Sequence, residues 1–187
     1  MTTAEEMGRI LSETPEKHNR ILVFAALLQA ESGSDVIVVG GSAIEIYTRG
    51  GYVSGDIDVR AERAKVHRVL GQWGFKDHGK LWIRQDWQIA IDVVGDRYTG
   101  DPYRATTIST PYGPVRIAAV EDVFVKRLAS AKHWGVREAL DEADLLWKDY
   151  ADKMDVVYLE RQARFYNVED LLADIRKQSA LRIHRRG

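Results

Sequence analysis

Val36-Ile37-Val38-Val39-Gly40-Gly41-Ser42, answered after a spacer by Asp56-Ile57-Asp58-Val59, is the stretch on which the fold turns. The first four residues are short, apolar and β-branched, and turn residues bound them, which reads as a buried strand. Gly40-Gly41-Ser42 turns the chain into Ala43-Ile-Glu-Ile-Tyr47, whose spacing is helical. Asp56-Ile57-Asp58-Val59 alternates, so on a strand both carboxylates share one face while Ile57 and Val59 face the core. Ala43 to Gly55 is long enough for about two helical turns, a turn at Gly50-Gly51 and a return into the next strand. That unit brings Ser42 and Asp56 together. Two carboxylates beside the N-terminus of a helix suit a metal–triphosphate complex: the acids hold a divalent cation and the N–H groups of the turn take phosphate.

A third acid extends the pattern. Ile89-Ala-Ile-Asp92-Val-Val94 is a strongly β-prone run with one carboxylate in its middle. An isolated buried Asp is costly and calls for a partner or a metal. If this strand pairs beside Asp56–Val59, three carboxylates converge, and with one or two Mg²⁺ ions they form a phosphoryl- or nucleotidyl-transfer site. Taken singly each motif is weak. Glycines end many strands, Asp-x-Asp is common at solvated edges, and Asp92 alone could be a satisfied core acid. Their order and spacing together carry the reading.

In that order and spacing the chain resembles the polymerase-β-type nucleotidyltransferase superfamily, and within it the small prokaryotic branch of minimal, aminoglycoside and abortive-infection toxin-like members. The resemblance runs from Asp35 to Asp92 and extends more weakly through Glu121-Asp122-Val-Phe-Val-Lys126-Arg127. It implies an α/β (α+β) fold: a mixed β-sheet with helices mainly on one face, followed by a C-terminal helical bundle. It implies a nucleotidyltransferase core with N-terminal helices over 1–118 and a helical region over 119–187 that closes one wall of the cleft. The implied reaction moves a nucleoside monophosphate from a nucleoside triphosphate such as ATP to a hydroxyl, releasing pyrophosphate, with Mg²⁺ or Mn²⁺ as cofactor. Asp56 and Asp58 would hold the metal, and Asp92 would hold a second one and accept the acceptor's proton. Gly40, Gly41 and Ser42 would bind the β- and γ-phosphates, with the Ser42 hydroxyl on phosphate. The acceptor stays open among a tRNA end, a protein hydroxyl and a small molecule, as does a partner protein or a homo-oligomer. The alternative is a catalytically silent binding protein on the same fold, such as a toxin–antitoxin component.

Basic residues supply further candidates. Lys80 and Arg84, an i, i+4 pair on the strand before that of Asp92, would share a face and could meet the triphosphate; charge protection of an edge strand explains them equally well. In toxin-like relatives a basic residue from the region of Lys126 reaches the nucleotide, which makes Lys126 a phosphate candidate. Trp134 and Trp147 read as helix-packing residues. The tail Arg182-Ile-His-Arg-Arg186 reads as a solvated end, with nucleic-acid contact as the lesser reading.

Composition closes off other classes. Gly40-Gly-Ser-Ala-Ile-Glu45 lacks the G-x-G-x-x-G fingerprint, and no Lys stands where a P-loop requires one. The absence of cysteine excludes thiolate sites and disulfides. Five histidines are scattered without an H-E-x-x-H pair. The formal net charge of -1 over 187 residues does not indicate a strongly basic nucleic-acid binder, though it allows a local basic patch. An acidic, polar N-terminus and a longest apolar run of only Ile21–Leu28 point to a cytoplasmic protein without a membrane segment.

The remaining elements are expected as helices over Thr3–Glu13, Pro15–Ala30 and Ala61–Trp73, and a short strand at Phe75–His78. Hairpins are expected at Lys80–Arg84/Trp87–Val94 and Ala105–Thr110/Pro114–Ala118. Four helices are expected after Val120.

Overall fold

Seven short strands form one mixed sheet in the computed structural model, which describes residues 2–184. They are β1 (Ile37–Val38), β2 (Ile57–Arg60), β3 (Lys76–His78), β4 (Leu81–Arg84), β5 (Ile89–Gly95), β6 (Thr106–Thr110) and β7 (Gly113–Ile117), in the spatial order β3-β4-β5-β2-β1-β7-β6. β2 runs parallel to β5 and antiparallel to β1, and β1 runs parallel to β7. The chain divides into two compact units, Met1–Ala119 and Val120–Gly187.

The first unit holds the whole sheet and four α-helices: α1 (Ala4–Ser12), α2 (Lys17–Ser32), α3 (Gly40–Tyr47) and α4 (Arg63–Gln72). Thr3 and Glu6 cap α1 reciprocally, each side chain bonding the other's backbone N–H, which satisfies two orphan donors. α2 begins after Pro15 rather than on it, with Glu16 as its cap. It is buried continuously from Ile21 to Leu28, as befits a helix wrapped on most sides. Phe24 of α2 meets Trp73 and Phe75 at ring distances of 5.8 Å, and Phe75 meets Trp87 at 5.7 Å. Helices α2, α3 and α4 pack together, and α2 and α3 lie against β7 and β2. Ile57, Val59, Ile91 and Val93 face that layer and are buried. Alternation then sends Asp58 and Asp92 to the other face.

Most strand ends fall within one residue of the sequence reading, and two differences have a clear cause. β1 spans only Ile37–Val38, because Val39 already serves as the cap of α3. β5 starts at Ile89 rather than Trp87, since Gln88 takes a positive φ of 54° and a wider turn joins β4 to β5.

The second unit is helical: α5 (Val120–Trp134), α6 (Glu138–Tyr150), α7 (Val156–Phe165) and α8 (Glu169–His184). Phe124, Leu128, Leu146, Tyr158 and Leu159 form its centre. Its buried acids are satisfied locally. Asp122 accepts from the Tyr158 hydroxyl at 2.8 Å, and Glu121 accepts from the Asp155 amide at 2.8 Å. Trp147 packs on Phe124 with ring centroids 5.4 Å apart, as expected of a packing residue, whereas Trp134 at the end of α5 is 73% exposed. Gly135, in the left-handed region, follows directly and ends α5. Arg185 and Arg186 of the basic tail lie outside the described residues. Among the described residues no helix is long and apolar enough to cross a membrane.

Candidate active site

The parallel pairing of β2 with β5 sets Asp58 directly beside Asp92 in register. Asp56 precedes Asp58 by two residues and projects to the same side. One oxygen from each of Asp56, Asp58 and Asp92 lies within 4.8 Å of the other two. Asp92 is the buried member, and Asp56 and Asp58 are half-buried. Such spacing of hard oxygen donors fits a divalent cation such as Mg²⁺ or Mn²⁺.

The Gly40-Gly41-Ser42 turn is the first turn of α3, and it builds the cluster more than it faces away from it. Val39 caps α3 with no side-chain hydrogen bond. The Asp58 carboxylate supplies one from β2, accepting from the Gly41 N–H at 3.0 Å. A negative group at this end is also favoured by the helix dipole. Gly40 has φ +57°, and a Cβ there would overlap the Asp58 carboxylate, so only glycine fits. The glycines therefore permit the close approach of Asp58.

Ser42 departs from its expected role. Its side chain is fully buried. Its hydroxyl donates to the Asp56 carbonyl at 2.8 Å and accepts from the Asp58 N–H at 2.9 Å. A hydroxyl engaged in this way clamps β2 to α3 and aims both acids; it is not turned toward a phosphate. Ser54 Oγ makes a second bond to the Asp56 carbonyl at 2.8 Å. Glu45, which the sequence reading passed over as part of a helical run, lies fully buried behind this turn. It accepts from the Ser54 N–H at 2.7 Å, while Lys17 Nζ donates to the Ser54 carbonyl at 2.6 Å. Its position on α3, three residues after Ser42, is the only sequence signal that could have found it.

Lys80 and Arg84 separate. Lys80 lies in the turn before β4, next to Gly79 at φ +82°, so strand alternation does not tie it to Arg84. Its ammonium sits 3.0 Å from Asp92 Oδ2 although its side chain is 77% exposed. The hydrogen-bonding contact with Asp92, followed by attraction to Asp92, Asp56 and Asp58, raises its pKa above the ordinary lysine value. Arg84 instead bonds the Asp86 carboxylate at 2.9 Å, donates to the Trp73 carbonyl, and stacks over Trp87 at 3.6 Å. These partners hold its guanidinium on the helix-covered side, with Asp86 drawn below its usual pKa by Arg84. Lys126 lies on α5, in the second unit.

No family model matches this chain, and no curated protein matches it in sequence. Two solved structures are similar over most of its length. One is the solution structure of the antibiotic-resistance factor ANT(2'')-Ia, with a TM-score of 0.54, 14% identity, and coverage of 88% of this chain and 95% of that one. The other is the crystal structure of ANT(2'')-Ia in complex with adenylyl-2''-tobramycin, with a TM-score of 0.55, 16% identity, and coverage of 78% and 95%. The chain has a nucleotidyltransferase fold. At these identities the likeness is one of fold.

Proposed function

We propose that this chain is a divalent-metal-dependent nucleotidyltransferase of the polymerase-β type, moving a nucleoside monophosphate from a nucleoside triphosphate to a hydroxyl acceptor. The observation that carries the reading is the meeting of Asp56, Asp58 and Asp92 within 4.8 Å beside the Gly40-Gly41 turn. The fold neighbour seen with adenylyl-2''-tobramycin supports adenylyl transfer to a hydroxyl as the reaction type. The order of the motifs also supports the small prokaryotic, toxin-like branch.

Asp56 and Asp58 hold the cation. When bound, the cation would offset the triphosphate's charge and stabilise the charge developing at the α-phosphorus. Asp92 is buried, adjoins both acids, and accepts the proton of the attacking hydroxyl. The acceptor oxygen bonds the α-phosphorus, the bond from that phosphorus to the bridging oxygen breaks, and pyrophosphate leaves with the electron pair. Lys80 neutralises Asp92 before the substrate arrives and, being exposed, can exchange Asp92 for a phosphate oxygen. Arg84 is left out of the phosphate contacts by its own partners; Lys126 is retained as a candidate.

Labelled ATP tests the proposal. Incubation with Mg²⁺ or Mn²⁺ and a cell extract should place label from the α-phosphate, and none from the γ-phosphate, on an acceptor. Label arriving from the γ-position would make the protein a phosphotransferase and overturn the reading.

A further inference from the structure

Asp56 is the acid of the cluster that the sheet itself does not hold. β2 begins at Ile57, so Asp58 and Asp92 pair within the ladder while Asp56 stands just before it. Gly55 precedes it, exposed, and a Cβ there would meet nothing within 4 Å. A cavity of about 390 Å³ borders the same segment and is lined by Lys17, Glu45, Ser54, Gly55 and Asp56. On that side no packed side chain supports Asp56, so its placement depends on hydrogen bonds.

Those bonds converge on Ser54, which is 4% exposed. Its N–H donates to Glu45 Oε2 at 2.7 Å, its carbonyl accepts from Lys17 Nζ at 2.6 Å, and its Oγ donates to the Asp56 carbonyl at 2.8 Å. α3 thus grips one end of the residue and α2 the other, and the hydroxyl passes that placement on to Asp56. Gly41 permits the approach, since a Cβ there would lie 2.8 Å from Ser54 Oγ.

Neither partner is explained by the stability of its own helix. Glu45 is fully buried, and its Oε1 has no hydrogen-bond partner among the described residues. A buried carboxylate so placed costs free energy, and an apolar residue would pack on α3 without that cost. Lys17 is the first residue of α2, the end at which the helix dipole disfavours a cation, and no acid stands in that first turn. What the two residues share is the backbone of Ser54.

We propose that Glu45 and Lys17 are positioning residues that aim Asp56 through Ser54, and so set the affinity of the acid cluster for a divalent cation. The proposal rests on the metal-binding role given to that cluster under the proposed function. It leaves the other two acids in place, because the Gly41 N–H holds the Asp58 carboxylate and Asp92 lies within β5. Removing a group that orients a metal ligand weakens metal binding by about 10–100-fold. Glu45 and Lys17 act through one residue of backbone, which puts each at the lower end, about tenfold.

Mn²⁺ titration of the full chain tests it, without nucleotide and with a non-hydrolysable nucleoside triphosphate. Protein-bound Mn²⁺ is read by its enhancement of water-proton relaxation, and urea unfolding of each variant runs beside it. Lys17→Met keeps the apolar stem of an exposed side chain, so it should fold normally while weakening Mn²⁺ binding about tenfold. Glu45→Met should weaken it by about tenfold or more. Glu45→Gln keeps an oxygen that can accept from the Ser54 N–H and should stay within about twofold of the wild type. A role in stability alone would lower the unfolding midpoint and leave the Mn²⁺ affinity of the folded protein unchanged. Wild-type affinity in folded Lys17→Met would overturn the proposal, whether or not Glu45→Met folds. Glu45→Gln binding as weakly as a folded Glu45→Met would also overturn it, because the effect would then follow the charge and not the hydrogen bond. A wild-type protein that binds no Mn²⁺ under either condition, or binds it equally after Asp58→Asn, sinks the proposed function. Binding that needs Asp58 but ignores Lys17→Met sinks this proposal alone.

Discussion

Replacing Ser42 with alanine separates two roles for one hydroxyl. Ser42 is fully buried, and its Oγ joins the Asp56 carbonyl at 2.8 Å to the Asp58 N–H at 2.9 Å. The Asp56 carbonyl keeps its bond from Ser54 Oγ, so the main loss falls on the Asp58 amide. Removing the acceptor from a fully buried amide costs about 1–3 kcal/mol, and this part-buried one belongs at the lower end, about 1 kcal/mol. Ser42→Ala should therefore lower unfolding stability by that amount in urea titration, with an unchanged slope. Metal-dependent nucleotide affinity should fall with it, because the backbone that aims both acids is loosened. Ser54→Ala should cost less, since Ser42 still serves the carbonyl. A Ser42→Ala protein of full stability that has lost nucleotide binding would refute the clamp and return the hydroxyl to the phosphate.

Further outcomes follow from the same geometry. Gly40→Ala should cost at least about 1–3 kcal/mol in the same titration, because φ +57° strains any other residue and the new methyl meets the Asp58 carboxylate. Burial, and then the charge of Arg63, hold His67 below its usual pKa of 6.5. The unfolded chain then binds the proton more readily, so stability should fall as pH drops below 6.5 and stay level above it; His67→Gln should remove that part of the slope in denaturation profiles. Arg84→Lys should destabilise the fold without changing nucleotide affinity, because Trp73, Asp86 and Trp87 are its partners; calorimetry and thermal melting together check this.

Much of the core was legible because its signals are local. Strand alternation placed Asp56 with Asp58, and a lone acid in a β-branched run marked Asp92, whose parallel register with Asp58 the sheet supplies. Pairing across the sheet is not local, and there the sequence is silent. Ser42 was expected beside Asp56, but nothing in the string shows that its hydroxyl is taken up by the β2 backbone. Lys80 and Arg84 looked equivalent until the turn at Gly79 placed one outside the strand. Trp134 was read as a packing residue because it lies in a helical run, but it ends α5 and is exposed.

Asp56, Asp58 and Asp92 are proposed to form one metal–nucleotide site. Calorimetric titration with a non-hydrolysable nucleoside triphosphate, with and without Mg²⁺, tests it most directly in the wild type, Asp58→Asn and Asp92→Asn. Binding should depend on Mg²⁺ and be abolished by Asp58→Asn, because that acid carries the metal. Asp92→Asn should retain most of the affinity while transfer of α-label falls strongly, as expected of a group that acts on the attacking hydroxyl. Binding that is indifferent both to Mg²⁺ and to Asp58→Asn would contradict the account.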